Sequence, residues 1–179
     1  MSNSPATTDL PGTDTAEWAH VRLSVERLEA VEAIKALKYR YWRACDAKDP
    51  KGFRSCFITV GASIDFGALG RFSDADGIAM IFESIALQKV DDKPVILDMH
   101  HGAHPDITVT SATTASGAWS LRFRQVNLIN NTETLTTGEY DDEYVIENGV
   151  WKMSKCHFTP YWSITRPIGD QAVVTADSF

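Results

Sequence analysis

The sequence predicts a single α+β domain in which three N-terminal helices pack on a strongly bent, mostly antiparallel sheet. Before Pro94, three segments place apolar residues at helical spacing. After Pro94, four long runs rich in β-branched and aromatic residues are separated by turn residues. Because the helices come first and the strands follow, we expect all the helices on one face of the sheet. The length of 179 residues fits one domain.

The first predicted helix begins at Trp18 and ends near Asp49, because Pro50 and Gly52 follow and both residue types break helices. Its apolar positions recur at steps of three and four residues, as on one face of a helix. These positions are Leu28, Val31, Ile34 or Lys35, Leu37, Tyr41 and Cys45. The face ends in an acid, Asp46, where the domain is expected to be driest.

Two shorter helices and a hairpin are expected next. The segment KGFRSCFI carries Phe53, Cys56 and Phe57 at helical spacing. The segment ASIDFGALGRFS predicts a hairpin, because the glycines from Gly67 to Gly70 permit its turn. The third helix, DADGIAMIFESIALQK, begins with acids that suit the positive end of the helix dipole. Its apolar residues are Ile78, Ile81, Phe82 and Ile85.

Four strands are expected in the second half of the chain. They are VILDMHHGAHPDITVT, ASGAWSLRFRQVNLIN, ETLTTGEYDDEYVIEN and VWKMSKCHFTPYWSI. The pair Asn148-Gly149 between the last two is a strong hairpin signal, because both residue types accept the positive φ angles of a two-residue turn. These strands are predicted to form one antiparallel sheet.

The predicted domain covers residues 17–166, between a disordered N-terminal tail of residues 1–16 and a C-terminal tail of residues 167–179. The N-terminal segment is rich in Ser, Thr, Pro, Asp and Gly without periodicity, so it cannot bury enough apolar surface to order itself.

The charge balance argues against several classes of partner. A formal net charge of -7 and a pI near 5.1 disfavour a broad surface for nucleic acid, which needs a clustered basic field. No apolar run approaches the roughly 20 residues that span a bilayer, and the N-terminus lacks the basic and apolar regions of a signal peptide. We therefore expect no nucleic-acid partner, no membrane association and a cytoplasmic location.

The cysteine pattern indicates reduced thiols. Cys45, Cys56 and Cys156 are odd in number, lie far apart and form no CxxC pair. Neither a zinc site nor a disulfide framework is therefore predicted. We therefore expect no metal bound by these thiols.

Three of the five histidines lie in the segment MHHGAHP. Strand alternation places His100 and His104 on one face and His101 on the other, unless a bulge at Gly102 shifts the register. A metal site is the alternative, but HxxxH spacing suits one face of a helix better than a strand. At least one histidine should therefore face the concave side of the sheet.

The first helix is expected to bring Tyr41 and Asp46 to that same side. An Asp that accepts a hydrogen bond from one imidazole nitrogen fixes the tautomer and leaves the other nitrogen as a general base. The alternatives are structural, since an Asp near a helix end is commonly a cap or solvated, and a Tyr on an apolar face is commonly core.

Two further groups are candidates for ligand contact. Arg122 and Arg124 share one face of a strand, where they bind a carboxylate or oxyanion if they point inward and are only solvated if they point outward. The segment HFTPYWSI, which contains His157, Tyr161 and Trp162, is aromatic enough to line an apolar pocket or to form a subunit interface.

The helix AIKALKYRYWRACDAKD, the strand MHHGAHPDITV and the motif EYxxxxGVWKxSK resemble the polyketide-cyclase-like (SnoaL-like) branch of the nuclear transport factor 2-like superfamily. The resemblance spans roughly residues 22–164. It implies a cystatin-like cone that resembles those of scytalone dehydratase, hexachlorocyclohexane dehydrochlorinase and bile acid 7α-dehydratase.

The resemblance also implies site residues. It assigns a catalytic dyad to His100 and Asp46 and a proton donor to Tyr41, with His101 competing with His100 for Asp46. The arginine that follows the WKxSK motif in two of those enzymes is replaced here by Cys156. Residues expected to contact the substrate are His101, Arg122, His157, Tyr161 and Trp162.

The function implied is a cofactor-free lyase or isomerase that acts on a hydrophobic cyclic small molecule in a conical pocket. A homodimer or homotrimer, assembled through the open face of the sheet, is expected. The alternative is a noncatalytic protein of the same fold that binds a small ligand or serves as a scaffold, since fold alone does not decide function.

Overall fold

The computed structural model describes residues 15–175 and confirms the predicted α+β fold class. Three helices, α1 (Thr15–Asp46), α2 (Pro50–Ser55) and α3 (Ala75–Ala86), pack on a curved sheet. The strands are β1 (Ser63–Asp65), β2 (Arg71–Phe72), β3 (Lys89–Val90), β4 (Lys93–Pro94), β5 (Ile96–Val109), β6 (Thr114–Asn127), β7 (Thr132–Glu147) and β8 (Val150–Pro167).

The main sheet has the strand order β2-β1-β8-β7-β6-β5. Its four long strands are neighbours in sequence and pair antiparallel, as predicted. The strand β1 pairs with β8 in parallel, a contact that the sequence did not predict because it joins segments about ninety residues apart. The small hairpin of β3 and β4 forms a separate sheet and was also not predicted.

The predicted turns are confirmed. Asn148 and Gly149 have φ angles of 53° and 77° and connect β7 to β8. A short 3-10 turn, Gly67–Leu69, connects β1 to β2, and Gly67 and Gly70 both have positive φ angles. Glycine is favoured there because it has no side chain to clash in this conformation.

The long first helix is confirmed, but its buried face begins later than expected. Residues 15–29 of α1 are exposed, and Leu28, predicted to be apolar core, is 66% exposed. Continuous burial along the apolar positions begins only at Ile34, since α1 extends past the body of the domain at its N-terminal end. Periodicity shows that a helix has an apolar face, but it does not show where a neighbour covers that face.

The predicted N-terminal tail lies largely outside the described residues, whereas residues 167–175 of the predicted C-terminal tail lie within them. The structure says nothing of residues 1–14 or of residues 176–179, while Thr15 and Ala16 belong to α1 and Pro167 is the last residue of β8. None of the helices within residues 15–175 combines the length and the apolar character that a membrane span requires.

The helix α1 crosses β5 at very short range. A Cβ atom built on Gly102 would lie 1.8 Å from the nearest atom of the Trp42 ring, so only glycine fits beneath that ring. Trp42 and Asp46 are one helical turn apart. The contact with Gly102 therefore also brings the end of α1 to the neighbouring residues of β5.

The predicted irregularity in β5 occurs two residues later than Gly102. The register with β6 shifts between Ala103 and Asp106, and His104 has a φ angle of 51°. His104 lies within 3.2 Å of the hydroxyl of Ser120, on the outer face of the sheet. The bulge therefore separates His104 from the face that His100 occupies.

We expect Gly102→Ala to destabilise the fold by about 1–3 kcal/mol, the usual cost of forcing extra volume into a packed contact. Urea unfolding followed by circular dichroism measures the change. Gly169→Ala is the matched control, because no atom lies within 4 Å of the added methyl group. Equal midpoints for both variants would show that α1 does not press on β5 at Gly102.

Candidate active site

His100 and Asp46 form a direct contact at the junction of β5 and α1. The Nδ1 atom of His100 lies 2.6 Å from Oδ1 of Asp46. The backbone N–H of His100 also donates to both carboxylate oxygens, at 3.1 and 3.2 Å. Asp46 is the last residue of α1, so its side chain is free to leave the helix and reach the strand.

This geometry selects one tautomer of the imidazole. Because the carboxylate accepts from Nδ1–H, the lone pair of the neutral ring is on Nε2. The side chains of His100 and Asp46 are only 13% and 20% exposed. A neutral His100 ring with this contact has one unprotonated nitrogen in a largely water-excluded place, as a general base requires.

Strand register decides which histidine faces inward. His100 pairs with Phe123 of β6, and their ring centroids are 4.6 Å apart on the concave face. His101 pairs with Arg122, and both are exposed on the opposite face. His101 is therefore not a competitor for Asp46.

A cavity of about 370 Å³ lies between the sheet and the helices, and His100 is in its wall. Its helical side is formed by apolar residues of α2, α3 and the β1–β2 turn: Phe53, Phe66, Ala68, Leu69, Ile78, Ile81, Phe82, Ile85 and Ala86. The volume is within the range of about 300–1,000 Å³ typical of ligand pockets. The site can therefore hold a small, mainly apolar molecule beside an imidazole.

Two tyrosines, Tyr41 of α1 and Tyr140 of β7, line the same cavity. Both are buried, and burial raises the pKa of each phenol well above its usual value. Both hydroxyls therefore stay protonated, and because they are hydrogen-bonded to each other, one of the two hydrogens is left to donate to a ligand. Tyr41 was a sequence candidate, whereas Tyr140 was not.

A second carboxylate, Asp98, lies on the cavity side of β5, two residues before His100. It forms an ion pair with Lys48 and accepts a hydrogen bond of 3.0 Å from Nε2 of Gln125. Its negative charge is thus compensated within the protein. Asp46 remains the carboxylate that contacts His100.

A fully buried ion pair lies behind the tyrosines. Nζ of Lys38 is 2.7 Å from Oδ2 of Asp142, and neither side chain has any exposed surface. The ammonium lies 3.6 Å from the centroid of the Tyr140 ring. The same Asp142 oxygen accepts from the hydroxyl of Tyr144, which accepts from Nε1 of Trp119. This network lies directly behind the Tyr140 ring in the wall of the cavity.

The position after the WKxSK motif, where Cys156 replaces an arginine, belongs to the buried core of this protein. Cys156 is inaccessible, does not line the cavity and has a thiol pKa raised well above its usual value by burial. The nearest cation is Lys38, whose Nζ is 3.6 Å from Sγ of Cys156. Because Lys38 is paired with Asp142 behind the tyrosine rings, it does not face the cavity.

Besides His101, the four other residues that were predicted to contact the substrate lie outside the cavity wall. Arg122 and His157 point to the outer face of the sheet, and Nε2 of His157 lies 2.8 Å from the hydroxyl of Ser63. Tyr161 and Trp162 are 64% and 52% exposed, at a bulge where the register of β7 and β8 shifts. These residues therefore do not line the cavity.

Several cavity residues were missed at the level of sequence: Asp98, Phe123, Gln125, Thr136, Tyr140 and Ser163. Counting in steps of two from His100 would have found Asp98, since alternate residues of a strand share a face. The others required the register between strands, which the sequence does not specify.

Among residues 15–175, no group of three or more His, Cys, Asp or Glu side chains is arranged to hold a metal ion.

Comparisons with known proteins agree with this architecture. The family model described as the SnoaL-like domain matches residues 26–157. No curated protein matches the sequence.

Solved structures share the fold at low identity. A candidate scytalone dehydratase from Novosphingobium aromaticivorans has 17% identity and a TM-score of 0.69, covering 87% of this chain and 96% of its own. Hexachlorocyclohexane dehydrochlorinase LinA-type3 from Novosphingobium barchaimii has 18% identity and a TM-score of 0.70, covering 86% and 99%. ActVI-ORFA from Streptomyces coelicolor has 15% identity and a TM-score of 0.58, covering 73% and 96%. These likenesses confirm the predicted cone fold.

Removing one partner of the buried ion pair is expected to destabilise the fold, because the other charge is then left unpaired. Lys38→Met leaves Asp142 charged in a dry core, so the free energy of unfolding should fall by about 3–5 kcal/mol. In Lys38→Met/Asp142→Leu no charge is left unpaired, so the double variant should regain much of that loss. Urea midpoints of the three proteins measure both changes. A single variant as stable as the wild type would contradict the stated cost.

The three thiols should be unreactive in the folded protein. Burial raises the pKa of Cys45, Cys56 and Cys156 and also blocks access to them. At about pH 8, near the usual thiol pKa, Ellman's reagent should react with all three only after denaturation. Rapid release of colour from the native protein would contradict the described burial.

Proposed function

We propose, since this chain belongs to the SnoaL-like domain family, that it is a cofactor-free lyase or isomerase acting on a hydrophobic cyclic small molecule. The observation that carries the proposal is the 2.6 Å contact between Nδ1 of His100 and Asp46 in the wall of the cavity. A protein that only binds an apolar ligand has no need of a desolvated imidazole with a fixed tautomer.

In the proposed reaction, Nε2 of His100 removes a proton from a carbon of the bound molecule. Asp46 stabilises the imidazolium that forms, because its carboxylate is already hydrogen-bonded to Nδ1. For a lyase, the electron pair of the broken C–H bond forms a double bond while the leaving group departs. For an isomerase, the proton returns to another carbon.

The tyrosines supply the hydrogen-bond donor in this reaction. Tyr41 donates a hydrogen bond to an oxygen of the substrate or of the leaving group, and the hydroxyl of Tyr140, which is hydrogen-bonded to that of Tyr41, supports it. Preorganised donors in a dry site stabilise developing negative charge more effectively than water does.

The noncatalytic alternative would be favoured by a cavity filled with its own side chains, or by an Asp46 that points into solvent. Here the cavity has a volume of about 370 Å³, and Asp46 contacts His100. The enzyme is therefore the better-supported of the two hypotheses.

The proposal includes self-assembly and a cytoplasmic location, without nucleic-acid or membrane partners. The outer face of the sheet carries exposed apolar side chains, among them Met99 of β5 and Trp162 and Ile164 of β8. Such a surface suits burial between subunits. A homodimer or homotrimer formed through this face leaves the cavity on the opposite side.

A probe with an acidic C–H bond tests the reaction. The compound 3-hydroxy-1-tetralone carries a proton between its carbonyl and its hydroxyl-bearing carbon. Removal of that proton with loss of water gives 1-naphthol, which is fluorescent. We expect the protein to accelerate this dehydration, and His100→Gln or Asp46→Asn to lower kcat by about 10²–10⁴-fold.

His101→Gln is the matched control, because His101 is adjacent in sequence but exposed on the other face. It should retain the wild-type rate. A His100→Gln variant that keeps the wild-type rate, or a wild-type protein no faster than buffer, would contradict the proposed dyad. Circular dichroism of each variant verifies that the fold is intact.

A further inference from the structure

The two walls of the cavity differ in chemistry. The part of the helical wall formed by α2, α3 and the β1–β2 turn is entirely apolar. The sheet wall instead carries, besides His100 and Tyr140, four uncharged or charge-compensated polar side chains. We call these the polar strip: Asp98, Gln125, Thr136 and Ser163. A ligand that was apolar on every side would leave the strip desolvated and unmatched.

The strip is organised in pairs across neighbouring strands. Gln125 donates to Asp98 at 3.0 Å, and the hydroxyls of Thr136 and Ser163 lie 2.8 Å apart. The first bond uses one N–H of the Gln125 amide, so its second N–H and its carbonyl oxygen are left for a ligand. In the second pair one hydroxyl donates, so the hydrogen of the other is left for a ligand. The strip can therefore both donate to and accept from a bound molecule.

The charges of the cavity wall favour a neutral ligand group. Lys48 is committed to Asp98 in an ion pair with little exposed surface. No Lys or Arg is among the described residues that line the cavity. A carboxylate beside the strip would face the Asp98 oxygens without a free cation, which costs binding energy. Hydroxyl and carbonyl oxygens are the groups that the strip accommodates.

The distance from His100 to the polar strip and the volume of the cavity together set the size of the ligand. In the register of the sheet, His100 and Thr136 are separated by one intervening strand. Two strand spacings are about 10 Å. A cavity of about 150 Å³ holds one benzene ring, so the volume of about 370 Å³ has room for two or three fused rings. Such a molecule reaches from the imidazole to the strip.

The geometry points to a substrate class: a neutral molecule of two or three fused rings that bears a second hydroxyl or carbonyl oxygen at the edge remote from the reacting carbon. That oxygen binds the polar strip, and the hydrocarbon face lies on α3. This inference rests on the proposed function, because the reacting carbon is defined as the one beside His100.

Binding measurements test the strip without any turnover. The probes are 2-naphthol, 2,6-dihydroxynaphthalene and 6-hydroxy-2-naphthoate, titrated by isothermal calorimetry. The dihydroxy compound should bind about five- to tenfold more tightly than 2-naphthol, the worth of one added neutral hydrogen bond. The naphthoate, which places an anion at that edge, should bind most weakly of the three.

Two variants and a control assign the preference to the strip. Thr136→Val and Gln125→Leu remove hydrogen-bonding groups with little change in volume and should abolish or strongly reduce the preference for the dihydroxy compound. Thr134→Val is the control, because Thr134 lies on the same strand, pairs with Thr165 at 2.9 Å and does not line the cavity. It should leave the preference unchanged.

Equal affinities for the two phenols, tightest binding of the naphthoate, or an unchanged preference in both variants would overturn the inference. Failure of every probe to bind would also overturn it, since the cavity would then not accept fused rings. His100→Gln should keep the preference. Absence of turnover in the wild-type protein with the preference intact therefore contradicts only the proposed reaction, and turnover without the preference contradicts only the substrate class.

Discussion

The close approach of α1 to β5 is the constraint on which the site depends. The Trp42 ring occupies the space that any side chain at residue 102 would fill. One turn further along α1, Asp46 reaches both the backbone N–H and the Nδ1 atom of His100. Packing and polar contacts thus fix the same junction. The orientation of the imidazole is therefore a consequence of how the helix is seated, not of a flexible loop.

The surroundings of this junction separate two kinds of polar group. Lys38 and Asp142 are sealed behind Tyr140, where the desolvated pair costs energy to break and specifies how α1 packs. His100, by contrast, is in the wall of an open cavity with apolar residues opposite. A charge that is paired inside the protein contributes structure, while a polar side chain in the wall of a cavity can contact a bound molecule.

Much of the fold and the centre of the site could be predicted from the sequence. Helical spacing, period-two strands and the Asn148-Gly149 turn are local signals, and the contact between His100 and Asp46 was expected from the resemblance to the family. The remaining contacts are set by strand register, which no local pattern gives. Register places Arg122 and His157 outside and Tyr140 inside, and the bulge at Tyr161 carries that residue away from the cavity. Burial of Lys38 likewise depends on its distant partner Asp142.

The most direct test of the account is the tautomer of His100 in solution. Long-range proton–nitrogen NMR correlations of the histidine rings, assigned with the His100→Gln variant, distinguish the two neutral forms at a pH where the ring is uncharged. Since Asp46 accepts from Nδ1–H, the account predicts the Nδ1-protonated tautomer in the wild type and its loss in Asp46→Asn. An Nε2-protonated ring in the wild type would contradict it, because the nitrogen facing the cavity would then have no lone pair to accept a proton.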